Sequence, residues 1–354
     1  MPSRGTPLAD ADRSALRDEV VAALRRGELC ALPTETVYGV AAMPSAPGAE
    51  ERLRRWRGDG DRGPATLHVA DRADLAARSL RTHVGAERLM DRYWPGPLTL
   101  LLAGKRDEEV AVRQPAHAFT REVIQACGEP LWLTSIPDRT GTAMTDPAII
   151  AARLQDDITL LVDDGESPLG AMSTLVRAIG PELEVLREGI LSRAEVLQAA
   201  ADLILFVCTG NTCRSPLAEA FARAATAQAM GVHEDRVLAR GLRFASAGTA
   251  AMPGMQASEG SLEAGAEVGV DLAAHRSQPF DPSMLLRAVK IYCLSDSHRN
   301  ALLATAPDAA DRVELLRPDG ADIADPFGGD LDIYRAARDE IAAAVQARAA
   351  EWWP

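Results

Sequence analysis

Long apolar runs, paired cysteines and lysine are all scarce in this 354-residue chain, and each scarcity removes a class of protein. No stretch of eighteen apolar residues occurs, so a membrane-spanning helix is not expected. No charged-then-apolar leader opens the chain, so secretion is not expected either. The five cysteines, Cys30, Cys127, Cys208, Cys213 and Cys293, are odd in number and lack C-x2-C spacing. That pattern indicates neither a disulfide framework nor a zinc site. A cytoplasmic protein without a metal or a membrane partner is the expectation. Lysine stands only at positions 105 and 290, the other cations being arginine. This looks like a coding bias, so a Lys-to-Arg departure from any pattern says little. The formal charge is −13 and both halves are acidic. Direct nucleic-acid binding and anionic membranes, which need clustered cations, are therefore not expected. Small molecules or peptide side chains remain as substrates.

The chain's length allows two independent cores. The fold class expected is α/β in two domains, 1–200 and 201–354. In the first, a helix from Asp12 ends at Gly27. Strands read at 29–32, 67–70, 98–103, 110–115, 131–135 and 173–178, and a helix at 192–200 closes the domain. Residues 1 to about 10 read as frayed and GDGDRGP, 58–64, as a mobile loop. In the second, strands at 203–207, 244–249, 289–295 and 313–316 alternate with helices at 215–229, 257–268 and 331–352. That alternation predicts a doubly wound parallel sheet with helices on both faces, where ligands sit at the carboxyl ends of strands.

The most informative stretch is LILFVCTGNTCRSPLAE, 203–219: a short apolar strand, a tight polar loop and a helix start. Ser215 and Pro216 suit the cap and first position of that helix. A loop closing on a helix N-terminus turns backbone N–H groups toward its centre and forms a cradle for a phosphate-like dianion. The cradle comprises Thr209, Gly210, Asn211, Thr212, Cys213 and Ser215. The same field favours the thiolate of Cys208, and Arg214 offers a planar fork for two phosphoryl oxygens. A bare C-x5-R is expected by chance roughly 0.5 times in such a chain, so the strand, helix and Ser215 around it carry the reading. Asp325, beside Pro326, is a plausible proton donor.

CTGNTCRS (208–215), SAGT (246–249), HR (275–276), SHR (297–299) and DPFGG (325–329) together resemble the low-molecular-weight protein tyrosine phosphatases. The resemblance covers about 203–350. It implies Cys208 as nucleophile through a phosphocysteine, Arg214 as phosphoryl clamp and Asp325 as general acid, then base, with no cofactor. Asn211, Ser215, Ser246 and His275 match positions that hold the loop in shape. Thr212, where tyrosine-directed members usually have an aliphatic residue, makes the loop more similar to the bacterial protein-arginine phosphatase branch. Phosphoarginine is then favoured over phosphotyrosine in protein substrates. Cys213 either pairs reversibly with Cys208 under oxidation or packs beneath the helix, the second being the default. His298 reads as structural or surface.

PTETVYG (33–39), WPGPLTLLL (94–102), VRQP (112–115), TS (134–135), ST (173–174) and LREG (186–189) resemble the YrdC-type threonylcarbamoyl-adenylate synthases over about 15–195. These enzymes join threonine, bicarbonate and ATP into a precursor for tRNA modification, on a twisted α/β sheet. The resemblance implies a pocket of Thr34, Thr36, Arg55, Arg57, Arg113, Ser135, Ser173 and Arg187, using ATP and Mg if active. Departures occur: Lys-x-Arg becomes Arg55-Trp56-Arg57, a following lysine becomes Gly63, and Ser-x-Asn becomes Ser135-Ile136-Pro137. Either this half is a working synthase beside a phosphatase, or it is a degenerate pocket. Gly63 and Pro137 favour the second. A third possibility is a non-catalytic nucleotide-sensing module.

Overall fold

The chain divides after Ala200 into two units, Met1–Ala200 and Ala201–Pro354. The computed structural model describes residues 10–58, 65–137, 140–154, 158–180 and 182–352. The expected frayed start, most of the charged turn at 58–64 and the Gly63 substitution lie outside those residues.

The first unit is a nine-stranded mixed sheet among the described residues. Its strands are β1 (Leu29–Leu32), β2 (Gly39–Ala42), β3 (Thr66–His68), β4 (Leu98–Ala103), β5 (Glu109–Arg113), β6 (Leu131–Ser135), β7 (Ile158–Leu161), β8 (Thr174–Arg177) and β9 (Glu184–Arg187). They run in the order β7-β1-β2-β6-β3-β5-β4-β8-β9. Three of them were absent from the sequence reading. β7 and β9 are the two edges, half wet, so neither shows the buried apolar run of a central strand. β2, GVAA, is wholly buried but too small in side chain to signal a strand. The helix Asp10–Arg25 places Val20, Val21, Ala23 and Leu24 in a core with β1, β2 and Phe119, Val123 and Ile124 of the helix Ala118–Cys127.

The second unit is an all-parallel sheet of β10 (Asp202–Cys208), β11 (Leu242–Gly248), β12 (Ala288–Cys293) and β13 (Val313–Leu315), in the order β11-β10-β12-β13. The central strand β10 is apolar on both faces, which a two-residue period turns into two separate cores. Ile204, Phe206 and Cys208 face one, with Leu217, Ala218 and Ala222 of the helix Arg214–Met230 and Ile341, Ala344 and Val345 of the helix Leu331–Trp352. Leu203, Leu205 and Val207 face the other, with Leu285 of the helix Pro282–Arg287 and Leu302 of the helix Asp296–Thr305. Helices therefore cover both faces, and the carboxyl end of β10 emerges between them.

Trp352 closes the first of these cores. Its ring lies edge-on to Phe206, Phe244 and Tyr292, with centroids at 6.5, 5.8 and 5.6 Å, and its Nε1 donates to Thr226 Oγ1 at 2.9 Å. Replacing Trp352 by alanine removes a buried aromatic and leaves a hole under β10. The expected cost is about 3–5 kcal/mol, seen as faster hydrogen exchange of the β10 amides; an unchanged exchange rate would contradict this account of the core.

Candidate functional site

Cys208 is the last residue of β10, opposite Gly248 of β11. The loop that follows reaches the helix Arg214–Met230 within five residues. To turn so tightly it places Asn211 at φ +53°, in the left-handed region where asparagine is among the few tolerated side chains. Asn211 is wholly buried, and its polar groups are paired. Its Nδ2 donates to Ser215 Oγ and to Ser246 Oγ, both at 2.9 Å. Its Oδ1 accepts from the Gln278 amide at 2.9 Å, and its carbonyl lies 2.7 Å from His275 Nε2.

Counting protons along this chain assigns the donors. Both Nδ2 protons of Asn211 are used, so Ser215 and Ser246 accept there and each keeps its own proton for another partner. Ser246 gives it to Glu219 Oε2 at 2.7 Å. Ser215 Oγ lies 3.0 Å from Cys208 Sγ, so its proton can point at the sulfur, where it stabilises negative charge. The alternative acceptor, the Ala247 carbonyl, is farther, at 3.5 Å.

Arg214 is buried. Its Nη1 donates to the Ile323 carbonyl at 3.0 Å and its Nη2 to Asp325 Oδ2 at 2.7 Å. Its Nε is buried without a protein acceptor among the described residues, leaving a directed donor beside the loop. Asp325 is half exposed, and its other oxygen accepts from the Phe327 amide at 3.3 Å. Cys208, Arg214 and Asp325, singled out together from the sequence, thus come together around this loop.

Cys213 packs with Ala264 and Tyr334, its Sγ 3.9 Å from the tyrosine hydroxyl and 3.6 Å from Thr212 Oγ1. This is the packing role of the two expected for it. Thr212 is half buried, and its carbonyl accepts from the Ser258 amide at 2.9 Å. Neighbouring backbone pins the loop at its other end: the amides of Thr249 and Ala250 donate to the carbonyls of Cys208 and Thr209 at 2.9 and 3.0 Å. Of the two roles expected for His298, structural or surface, the structure shows the first: it is buried, with Nε2 2.9 Å from Thr209 Oγ1.

In the first unit, Thr34, Arg113, Ser135, Ser173 and Arg187 line one narrow cavity of about 80 Å³, together with His68, Thr66 and Thr99. Thr36 supports it through Arg113 Nη1 at 2.8 Å. Arg55 and Arg57 do not line this cavity. Arg55 lies on the exposed face of the helix Ala49–Arg57 beside Glu51, one turn earlier, and Arg57 lines a separate hollow with Leu53 and Trp132. Arg113 is buried and its fork is occupied: Nη2 pairs with Glu35 at 2.5 Å and Nε donates to the Gly96 carbonyl at 3.0 Å. Burial pushes the Glu35 carboxyl up, but the charge and hydrogen bond of Arg113 outweigh it and leave the group below its ordinary value. His68 is pushed down to about 3 by burial and then by Arg113, so it is a neutral imidazole. Neither Glu35 nor His68 was singled out from sequence, although Glu35 lies inside the quoted PTETVYG. Pro137 bridges to Ala143 beside this region.

Residues 203–351 match the profile of a family described as low molecular weight phosphotyrosine protein phosphatase. Residues 22–189 match the Sua5/YciO/YrdC profile, described as telomere recombination. A protein-arginine-phosphatase from Geobacillus stearothermophilus is 38% identical over 143 residues, which cover 39% of this chain and 87% of that protein. A threonylcarbamoyl-AMP synthase from Bacillus subtilis is 30% identical over 188 residues, 50% of this chain and 54% of that protein. The chain thus spans about half the length of that synthase. The solved structure of the YwlE arginine phosphatase from Geobacillus stearothermophilus aligns at 33% identity over 42% of this chain and 92% of its own, with a TM-score of 0.37.

A test of the loop's construction follows from Gly248. A Cβ there would lie 2.4 Å from the Thr209 carbonyl and 2.9 Å from the Asn211 amide, both backbone atoms that cannot move without opening the loop. Gly248→Ala is expected to weaken tungstate binding at the loop by about tenfold or more, the order of one lost 1.4 kcal/mol contact; calorimetric titration measures it, and wild-type affinity would contradict the geometry.

Proposed function

We propose a function from the premise that this chain belongs, through residues 203–351, to the low molecular weight phosphotyrosine protein phosphatase family, and carries a YrdC-type domain over residues 22–189. The second unit hydrolyses phosphorylated protein side chains through Cys208. The observation that carries this reading is the Ser215 hydroxyl oxygen 3.0 Å from the Cys208 sulfur, beside the Arg214 fork.

In the reaction proposed, the Cys208 thiolate attacks phosphorus and the bond from phosphorus to the leaving group breaks, giving a phosphocysteine. The loop amides and Arg214 hold the equatorial oxygens, so positioning and electrostatics supply most of the rate. The incoming dianion competes with Asp325 for Arg214 Nη2. A carboxylate left beside an anion takes up a proton, the state a general acid needs. Asp325 gives that proton to the leaving group, then accepts one from the water that attacks the phosphocysteine and releases inorganic phosphate.

Arginine is the preferred substrate side chain in this reading. Thr212 offers a hydroxyl where a planar guanidinium would lie, and two protein-arginine-phosphatases are 38% and 33% identical to this unit. A guanidine, with a conjugate acid above about 12, must leave protonated, which makes Asp325 more important for it than for a phenol at about 10.

The first unit is proposed to be a pocket that has lost synthase chemistry. Its central cation is tied to Glu35, Thr36 and Gly96, and Pro137 lacks the amide of the family's asparagine.

Two outcomes are expected. Phosphate release from phosphoarginine should exceed that from phosphotyrosine, vanish in Cys208→Ser, fall about 10²–10⁴-fold in Asp325→Asn, and shift towards aryl substrates in Thr212→Ile; a clear aryl preference in the wild type rejects the arginine assignment. The full chain given ATP, threonine and bicarbonate should release no pyrophosphate, and robust turnover would reverse the assignment of the first unit.

A further inference from the structure

His298 lies outside the catalytic roles assigned above, yet it is buried to 3% exposure against the anion-binding loop. A buried imidazole is costly unless both nitrogens are paired. Both are: Nε2 lies 2.9 Å from Thr209 Oγ1, and Nδ1 lies 2.8 Å from Ser295 Oγ. We propose that His298 is a positioning residue for the reaction: it clamps the side chain of Thr209, the first residue after the nucleophile, and so fixes the opening turn of the loop.

The mounting is stiff. Ser295 stands at the N-terminal boundary of the helix Asp296–Thr305, two residues after β12, and its Oγ is 2.8 Å from Ser297 Oγ. β12 is hydrogen-bonded to β10, and the Leu294 amide continues that pairing to the Val207 carbonyl at 3.0 Å. His298 therefore ties the loop to the strand beside the one that carries Cys208. Thr209 needs such a tie because it is exposed, and the Ala250 amide holds its backbone from the β11 side. With His298 the residue is gripped from both flanks.

The charge state suits the task. The charged groups acting on His298 are Arg214, which opposes its protonation, and Asp325 and Asp322, which favour it. Burial, then Arg214, outweigh the carboxylates and push the imidazole down to about 4. It is neutral at working pH and adds no repulsion to the Arg214 clamp, one nitrogen donating and the other accepting.

This inference rests on the phosphatase reading, so the test separates the two. In the full chain, kcat and KM for phosphoarginine and an aryl phosphate are measured for Thr209→Val, His298→Leu and the double variant, with tungstate affinity and melting temperature alongside. Each single change is expected to lower kcat about tenfold with little change in KM. The double variant should be no worse than either single, since both cut the same tie. Thr209→Ser should recover most of what Thr209→Val loses, and tungstate affinity should fall in parallel. Additive losses, or a Thr209→Val protein as active as wild type, would overturn the proposal. Were wild type itself inactive, the phosphatase reading would fail, and tungstate affinity in the same three variants would still decide the tie.

Discussion

The second unit depends on one strained and fully satisfied side chain. Asn211 takes a positive φ, which costs an ordinary residue about a kcal/mol, because the chain must turn from β10 into a helix within five residues. Its amide then joins the helix through Ser215, β11 through Ser246, and the segment carrying Gln278. The bonds that hold the backbone in this unusual conformation are the same bonds that leave the Ser215 proton for the Cys208 sulfur. Loop shape and sulfur chemistry are therefore one problem with one solution. An aspartate at this position could accept the Gln278 amide but could not donate to two hydroxyls.

The first unit meets a similar demand with the opposite result. Arg113 is as deeply buried as Arg214, but each of its three nitrogens already has a protein acceptor: Gly96, Thr36 and Glu35. Arg214 keeps Nε unpaired and shares Nη2 with a half-exposed carboxylate that can move away. A cation with a nitrogen still unpaired can clamp a ligand; a cation held at every nitrogen braces its surroundings. The pair with Glu35 is the kind whose breakage costs about 3–5 kcal/mol, because the remaining charge is left buried. That constraint is enough to retain the pocket's shape.

Much of this was legible in the residues, and what was not has physical reasons. The apolar run 203–207, the turn residues and Pro216 mark the loop because strand, turn and helix cap each have local signatures. The final helix, Leu331–Trp352, was readable from its periodicity alone. Arg57 keeps the arginine of a family pattern and Arg55 replaces its lysine, but Glu51 one turn before Arg55 was visible as a solvent-face partner. His68 escaped notice, and His298 was left open between structural and surface, because a histidine's burial is set by distant elements: Arg113 for the first, β10's loop for the second. Ser295 and Ser297 flanking His298 were the only hint, a run of hydroxyls that a surface histidine does not need.

The aromatic cluster under β10 has a temporal meaning. Phe206 and Phe244 stand 146 and 108 residues before Trp352, the ring that covers them. During synthesis the strand that carries Cys208 leaves the ribosome long before the residue that seals its core. At the usual pace of about 5–20 residues per second, several seconds separate the two. The strand that carries Cys208 is thus made early, and its aromatic core is completed only once Trp352 has followed.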